Sequence, residues 1–214
     1  MRLPLYISHR INTVANIPDI SDTDGAEFDI RDSDGEILVT HDPYTTGDIF
    51  RDYVGRLPSH GMYIVNVKSE GIELDAIRLM EEAGLRDFFL LDCSFPRIKA
   101  LAIGHKESRI AIRVSEYEGI DTALKMAGYV DWIWLDVFTR LPIGHEEMNA
   151  LRAAGYKICL VSPELQGQPE RIEEYAGQML ADGWIPDAIC GKSWNRDRWF
   201  SALLPQGAPF PSRN

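Results

Sequence analysis

Eight runs of β-branched and aromatic residues recur along this chain of 214 residues, and most are followed by a segment with helical spacing. The runs are LYISH (5–9), AEFDIR (26–31), MYIVNVK (62–68), FFLLDCS (88–94), RIAIRVSE (109–116), DWIWLDVF (131–138), KICLVSPE (157–164) and DAICGK (187–192). Strands that alternate with helices pair in parallel through crossover connections. Eight such units predict an α/β fold, a compact (β/α)8 TIM barrel of about 27 residues a unit. Since no Pro- or Ser-rich linker divides the chain, we expect one domain over residues 1–214.

Two places break the alternation, and both lie near the start of the chain. Only 16 residues (10–25) separate the first run from the second, which is too few for a full helix with its two loops. The second run continues into RDSDGEILVTHDP (31–43), where Asp34-Gly35 is a typical hairpin turn. We therefore expect a reduced first βα unit and a small hairpin insertion after strand 2, on the face of the barrel where active sites lie.

Composition excludes several classes of protein. A formal net charge of −11 argues against a nucleic-acid partner or an anionic membrane held by bulk charge. No stretch approaches the roughly 18 apolar residues that a membrane helix needs, so stable membrane insertion is not expected. The start, MRLPLYISHR, does not have the pattern of a secretory signal, and we expect a cytoplasmic protein.

Charged and polar side chains cluster at the carboxyl ends of the first three predicted strands. The first strand ends at His9-Arg10 and the hairpin delivers His41. Glu27 and Asp29 are two residues apart, and so are Asn66 and Lys68, which places each pair on one face of its strand. Carboxylate and amide oxygens suit a hard cation such as Mg²⁺ or Ca²⁺. Arginine and lysine donate to phosphate oxygens, and two histidines can act as general base and acid.

Each of these features has an ordinary explanation when taken alone. A single strand carboxylate is usually solvated or salt-bridged, a histidine near a turn is usually a surface residue, and Lys68 could pair with Glu70 or Glu73. Barrel interiors, however, are normally filled with branched apolar side chains. Charges at three successive strand ends therefore indicate a site for phosphodiester chemistry.

In their order along the chain, SHRINT, GAEFDIR, SDGEILVTHDP and YIVNVK resemble the motifs of the glycerophosphodiester phosphodiesterase family. That family belongs to the phospholipase C-like phosphodiesterase barrels, and the resemblance covers about the first third of the chain. It implies a phosphoric diester hydrolase in which one histidine takes a proton and the other protonates the leaving alkoxide. By position, it implies His9 and His41 as the acid/base pair, Arg10 and Lys68 as phosphate-binding residues, and Glu27 and Asp29 as ligands of a divalent cation.

The chain departs from the family pattern in places that bear on the metal and the substrate. Asn66 stands where the family has a third acidic ligand, and Glu116, after the fifth strand, could supply the missing carboxylate. Gly191-Lys192 replaces a Thr-Asp pair that is common after the last strand. Trp194 follows that strand, where relatives often place an aromatic residue near the substrate, and we expect it to form a wall of the pocket.

Weaker candidates at the mouth come from the second half of the chain. Trp134 and Asp136 share a face of the sixth strand, and Arg113 could point inward from the fifth. Three functions remain open: a metal-dependent hydrolase of a glycerophosphodiester or a related small alcohol diester, a lipid or glycan phosphodiesterase, and a catalytically weak barrel that binds a phosphorylated ligand. Two histidines favour an enzyme, because binding alone does not need an acid/base pair.

Overall fold

The computed structural model describes residues 3–204, and eight parallel strands in that range close into a barrel. The barrel strands are β1 (Leu5–Ser8), β2 (Gly25–Ser33), β5 (Met62–Val67), β6 (Phe88–Leu91), β7 (Ala111–Val114), β8 (Trp132–Leu135), β9 (Lys157–Val161) and β10 (Ala188–Gly191). Ladders join β1 to β2, β2 to β5 and β5 to β6, and continue from β7 through β8, β9 and β10 back to β1. All eight sequence runs contain a barrel strand, so the predicted (β/α)8 fold is confirmed.

The last pair, β6 and β7, is joined much more weakly than the others. A single parallel bridge links Leu90 to Ile110, and the N–H of Leu90 donates to the carbonyl of Arg109 at 2.8 Å. The two strands therefore part towards their carboxyl ends, whereas β2 and β5 stay paired over six residues.

The predicted hairpin insertion is also confirmed. Strand β2 turns at Asp34 and Gly35, whose φ angles of 50° and 85° are those of a tight hairpin turn, and β3 (Glu36–Val39) returns antiparallel to it. A two-residue strand, β4 (Asp48–Ile49), then pairs with β3 and leads into the short helix α1 (Phe50–Val54). The hairpin thus extends β2 past the barrel rim and carries His41 back over the mouth.

Helices follow most of the remaining strands and cover the outside of the barrel. They are α2 (Glu73–Glu82), α3 (Phe95–Lys99), α4 (Asp121–Lys125), α5 (His145–Ala153), α6 (Ile172–Ala181) and α7 (Arg196–Leu203). Between β1 and β2 the described chain forms only the 3-10 helix Val14–Ile20, as the short spacing predicted. The helical segment after β6 is α3 followed by a π-helical stretch, Ala100–Gly104. None of the helices described is long and apolar enough to cross a bilayer.

Two apolar clusters on either side of the sheet hold the barrel together. Alternate residues of β2, among them Phe28, face outward and pack on Phe50 and Tyr53 of α1. Inside the barrel, a smaller cluster includes Ile64 and a stacked pair, Phe89 and Trp132, with ring centroids 4.8 Å apart. This inner cluster fills the barrel below the mouth, so polar side chains at the strand ends lie on an apolar floor.

Candidate active site

Glu27 and Asp29 point into the barrel from β2, and each has a side chain that is only 1% exposed. The backbone N–H of Arg10 donates to Glu27 Oε2 at 2.8 Å, and Asn66 Nδ2 donates to Glu27 Oε1 at 2.9 Å. Burial, reinforced by the neighbouring carboxylate of Asp29, raises the pKa of Glu27 well above its ordinary value. These two carboxylates therefore repel each other in a setting that favours a nearby positive charge.

Asp29 is surrounded by donors from two segments of the chain, the loop after β1 and the end of β5. Asn12 Nδ2 donates to Asp29 Oδ2 at 2.8 Å, and Asn12 Oδ1 accepts from the backbone N–H of Asp29 at 2.9 Å. Arg10 Nε lies 3.6 Å from Asp29 Oδ2, and Lys68 Nζ lies 3.4 Å from Asp29 Oδ1. The carboxylate thus holds both cations of the predicted phosphate site at the cavity.

Asn66 lies opposite Asp29 in the β2–β5 ladder and is buried. Its Nδ2 is occupied by Glu27, while its Oδ1 is buried without a hydrogen-bond partner. An orphaned buried oxygen beside two carboxylates is the donor set of a hard cation such as Mg²⁺ or Ca²⁺. Within residues 3–204 no group of three or more His, Cys, Asp and Glu side chains is arranged to hold a metal, so the amide oxygen is needed to complete this set.

His9 lies at the end of β1, next to an unusual backbone turn at Arg10, which has a φ of 62°. Lys192 Nζ approaches His9 Nδ1 at 3.3 Å, and Glu27 Oε2 lies 3.8 Å from His9 Nε2. Since an ammonium group can only donate, Nδ1 is the acceptor and Nε2 carries the ring proton. Burial, followed by the charge of Lys192, lowers the pKa of His9 to about 3, so this imidazole is neutral.

His41 is carried by the hairpin and is more exposed than His9. Its Nδ1 lies 2.7 Å from Asp42 Oδ1, and its carbonyl accepts from Arg31 of β2 at 3.1 Å. The hydrogen bond from His41 lowers the pKa of Asp42, so the aspartate is ionised and Nδ1 carries the proton. The remaining nitrogen, Nε2, is the one left to exchange a proton with a ligand.

These side chains meet in one cavity of about 230 Å³ at the mouth of the barrel. The predicted residues in its wall are His9, Arg10, Asp29, His41, Asn66 and Lys68. Glu27 is buried in contact with the backbone of Arg10 and with Asn66, and the weaker candidates Arg113, Trp134 and Asp136 also line the wall.

The sequence analysis gave no role to Asn12, Asp92 and Gln166. Asp92 follows β6 in a left-handed turn with a φ of 60° and accepts from Lys68 Nζ at 2.8 Å. Gln166 donates to Asp136 at 2.8 Å. Asn12 lies inside the SHRINT motif. The only sequence signal that could have identified Asp92 is its position at a strand end.

Glu116 and Trp194 lie outside this cavity. The carboxylate of Glu116 accepts from the backbone N–H groups of three successive residues, 138–140, in the loop after β8. It is therefore used to shape that loop and is not brought to Glu27 or Asp29. Trp194 is 76% exposed and lines a separate depression of the rim with Asp19, Ser193 and Asp197. The structure therefore contradicts the expectation that Trp194 forms a wall of the pocket.

The last strand leads into the site through Gly191 and Lys192. A Cβ at Gly191 would lie 2.5 Å from the hydroxyl of Tyr6 and 2.8 Å from Glu164 Oε1, so a side chain does not fit there. The backbone N–H of Lys192 donates to that Glu164 oxygen at 2.9 Å, and the Tyr6 hydroxyl donates to the Lys192 carbonyl at 2.9 Å. These bonds fix the direction of the Lys192 side chain towards His9.

The chain is thus a parallel α/β barrel with a polar cavity at its mouth, where enzymes of this fold bind their ligands. Two histidines, cationic side chains and buried carboxylates meet at that cavity. No family model matches the sequence, and no curated protein matches it. Solved structures do match the fold of this chain, and three of them carry the name phosphodiesterase. The resemblance expected from the motifs is therefore confirmed in the fold, which this chain shares with glycerophosphodiester phosphodiesterases.

Three of these structures show how far the likeness extends. A glycerophosphodiester phosphodiesterase from Agrobacterium tumefaciens is 17% identical with a TM-score of 0.62, and the match covers 89% of this chain and 98% of that one. A glycerophosphoryl diester phosphodiesterase from Parabacteroides distasonis is 14% identical with a TM-score of 0.70, over 97% and 89% of the two chains. An Oleispira antarctica phosphodiesterase, solved with the product sn-glycerol-3-phosphate, is 16% identical with a TM-score of 0.64, over 94% and 97%.

Proposed function

We propose that this protein is a metal-dependent phosphodiester hydrolase that cleaves a glycerophosphodiester or a related alcohol phosphodiester by general acid–base catalysis. The observation that carries the proposal is the single cavity that joins His9, His41, Arg10 and Lys68 above the buried pair Glu27 and Asp29. The fold shared with phosphodiesterases supports it, and the Oleispira structure with sn-glycerol-3-phosphate supports a glycerol phosphate as part of the ligand.

Arg10 and Lys68 bind the phosphodiester in this proposal. Both cations lie within 3.6 Å of Asp29, and their donors face a cavity large enough for a phosphate with a small substituent. Charge-assisted hydrogen bonds from a guanidinium and an ammonium offset the negative charge that builds on the phosphoryl oxygens in the transition state.

The two histidines divide the proton transfers. His9 is neutral, and in this proposal its Nδ1 takes a proton from the attacking hydroxyl of the substrate or of water. Lys192, which donates to Nδ1 in the free protein, would then donate to the bound phosphodiester instead. A bound phosphodiester brings a negative charge that opposes the effect of Lys192, Arg10 and Lys68, and so restores basicity to the ring. His41, oriented by Asp42, acts as the general acid and gives a proton to the leaving alkoxide.

Glu27, Asp29 and the free oxygen of Asn66 would hold a divalent cation, Mg²⁺ or Ca²⁺. When bound, the cation supplies positive charge to a phosphoryl oxygen. Asn66 offers an oxygen without a charge, so we expect weaker binding than three carboxylates would give. Glu116, committed to the loop after β8, is not part of this set.

A catalytically weak barrel that binds a phosphorylated ligand is the second candidate. Two observations favour it: the neutral Asn66 at the cation site, and the low pKa of His9, which makes the ring a poor base in the absence of a ligand. Under this alternative the cavity retains affinity for glycerol 3-phosphate but does not turn over a diester.

Hydrolysis of glycerophosphocholine and of bis-p-nitrophenyl phosphate, measured with Mg²⁺, Mn²⁺, Ca²⁺ or a chelator, separates the two candidates. We expect turnover that depends on the metal, and a loss of about 10²- to 10⁴-fold in kcat for His9→Ala and for His41→Ala. His105→Ala, at an exposed histidine, is the matched control and retains activity. Calorimetric binding of glycerol 3-phosphate without turnover in any metal would favour the binding protein.

A further inference from the structure

A second and larger cavity opens beside the candidate active site, where β6 and β7 part. It has a volume of about 740 Å³, within the range of small-molecule sites. The residues that follow β6 form one side, and β7 with the loop before α4 forms the other. The single bridge between Leu90 and Ile110 leaves the barrel wall open at this point.

The two cavities share part of their walls. Leu91, Asp92 and Arg113 line both of them. Lys68, which the proposed function assigns to the phosphate, donates to Asp92 at 2.8 Å and so lies next to this shared wall. A group that extends from the phosphate across this shared wall, in the direction of β6, would reach the second cavity.

Apolar side chains dominate the interior of this second cavity. They include Leu91, Ile98, Ala111 and Ile112, with the rings of Phe95 and Tyr117 near the solvent, 50% and 78% exposed. Exposed aromatic rings beside a buried apolar surface are typical of a binding site for an apolar group.

The charges in the shared wall are already paired. Arg113 donates to Asp92 and, at 2.7 Å, to Asp136, so its guanidinium is neutralised by two carboxylates. Asp92 in turn also binds Lys68. Glu118 accepts from the Ser115 hydroxyl at 2.8 Å. Lys125 also lines the cavity, at an exposed position. Next to the phosphate, the paired charges of the shared wall favour an uncharged ligand group over an ammonium or carboxylate group.

We infer that the cavity between β6 and β7 binds the alcohol group of the phosphodiester, and that this group is an uncharged alkyl chain. The inference rests on the proposed function and names the substrate class of that same site. Buried apolar surface away from the reacting phosphorus contributes binding energy that can be used in the transition state. The chain length of the alcohol should therefore control kcat/KM.

The test uses the ethyl, butyl and octyl esters of sn-glycerol 3-phosphate, all below the concentration at which they form micelles. We expect kcat/KM to rise about fourfold for each of the first added methylenes. A glycerophosphodiester with an ethanolamine or a carboxylate-bearing alcohol should react no better than the ethyl ester. A flat response to chain length, or a preference for a charged alcohol, would overturn the inference.

Gly119 allows the cavity to be filled without disturbing the barrel. A Cβ at this position would meet no atom within 4 Å, and Gly119 lines the cavity. Gly119→Trp should remove the gain with chain length while the ethyl ester is still hydrolysed. Gly177→Trp is the matched control, because Gly177 lies on α6 with equally free space and outside this cavity, and it should keep the gain.

Tyr117→Asp provides a second variant if the tryptophan variant does not fold, since Tyr117 is largely exposed. It should reduce the gain with chain length at least threefold and leave the ethyl ester unaffected. A full gain in both cavity variants would show that the alkyl chain binds elsewhere.

Failure of the proposed function gives a different result, namely no hydrolysis of any ester. Calorimetry with ethyl phosphate and octyl phosphate then decides the inference by itself. Tighter binding of octyl phosphate that Gly119→Trp abolishes supports the cavity, and equal affinities overturn it.

Discussion

On the β1–β2–β5 side of the mouth, two buried carboxylates lie close together and one buried amide oxygen has no partner, whereas on the β6–β7–β8 side Asp92 and Asp136 share the guanidinium of Arg113. Asp29 faces Glu27, whose pKa is raised, and Asn66 Oδ1 is orphaned. Across the cavity, Lys68 and Arg113 hold the pKa of Asp92 below its ordinary value although burial opposes them. Under the proposed function, the first side takes up the cation and the ligand, while the paired charges of the second side hold its shape.

Glu27→Gln is expected to have the largest effect and would break this comparison most directly. Loss of a buried ligand carboxylate should lower kcat/KM at least about 100-fold. The fold should nevertheless become more stable by about 1–3 kcal/mol at pH 8 without metal, because a buried charge is removed. The new amide can donate to the orphaned Asn66 Oδ1 after Asn66 rotates.

The stability gain should depend on pH in a defined direction. The folded pKa of Glu27 is raised, so its cost to the wild type is present when the carboxylate is ionised and disappears as pH falls towards the ordinary value of 4.5. Thermal unfolding of both proteins between pH 8 and pH 5 measures this. A variant that is less stable than the wild type at pH 8 would show that the carboxylate pair is not under strain.

Arg113→Leu tests the opposite side and should give the opposite result. Removal of the guanidinium leaves Asp136, which is buried, and Asp92 without their shared cation. We expect a loss of about 2 kcal/mol in unfolding free energy, below the full cost of a buried pair because Arg113 is partly exposed. The affinity for Mg²⁺, measured by calorimetry, should stay unchanged, and a weaker affinity would place Arg113 in the cation site after all.

Asn66→Asp should strengthen cation binding at the proposed site, with a smaller effect than the two preceding variants. The variant keeps the shape of the side chain and adds a third carboxylate next to Glu27 and Asp29. Without metal, repulsion should lower the melting temperature, and a divalent cation should restore it. We expect at least tenfold tighter Mg²⁺ binding, and an unchanged dissociation constant would remove Asn66 from the ligand set.

Glu116→Gln should have the smallest effect of the four. The carboxylate accepts three backbone N–H groups around Thr139, and replacing one of its two oxygens by an amide nitrogen should cost about 1 kcal/mol. The metal affinity should not change, as measured on the same calorimeter as for Asn66→Asp. A weaker affinity would revive the sequence-based expectation that Glu116 is a ligand.

The sequence predicted the barrel because alternation along the chain is a local property. Each apolar run became a strand, and the 16 residues after His9 were too few for a full helix with its two loops. The turn at Asp34-Gly35 was likewise predictable, because it depends only on the conformational preferences of these two residues. By contrast, the division of the segment after Phe95 into an α-helix and a π-helical stretch has no signal in its spacing.

The candidate site was less predictable wherever a contact joins distant segments. The motifs brought His9, Glu27 and Asn66 together correctly, because each stands at a strand end. The contact of Lys192 with His9 joins residues 183 positions apart, and the use of Glu116 by the loop after β8 depends on the path of that loop. Residue spacing predicts neither of these contacts, because both depend on how the strands close into a barrel.

The position of His41 on the hairpin has a consequence for how the two proton-transfer groups are maintained. His9 follows β1, a strand of the closed barrel. His41 lies on the short antiparallel hairpin, an arm that is attached through β2 and the Arg31 side chain. Under the proposed mechanism, local opening of that arm would stop the reaction without unfolding the barrel. Hydrogen exchange that is faster in residues 36–49 than in β1 would thus report on the fraction of molecules ready to react.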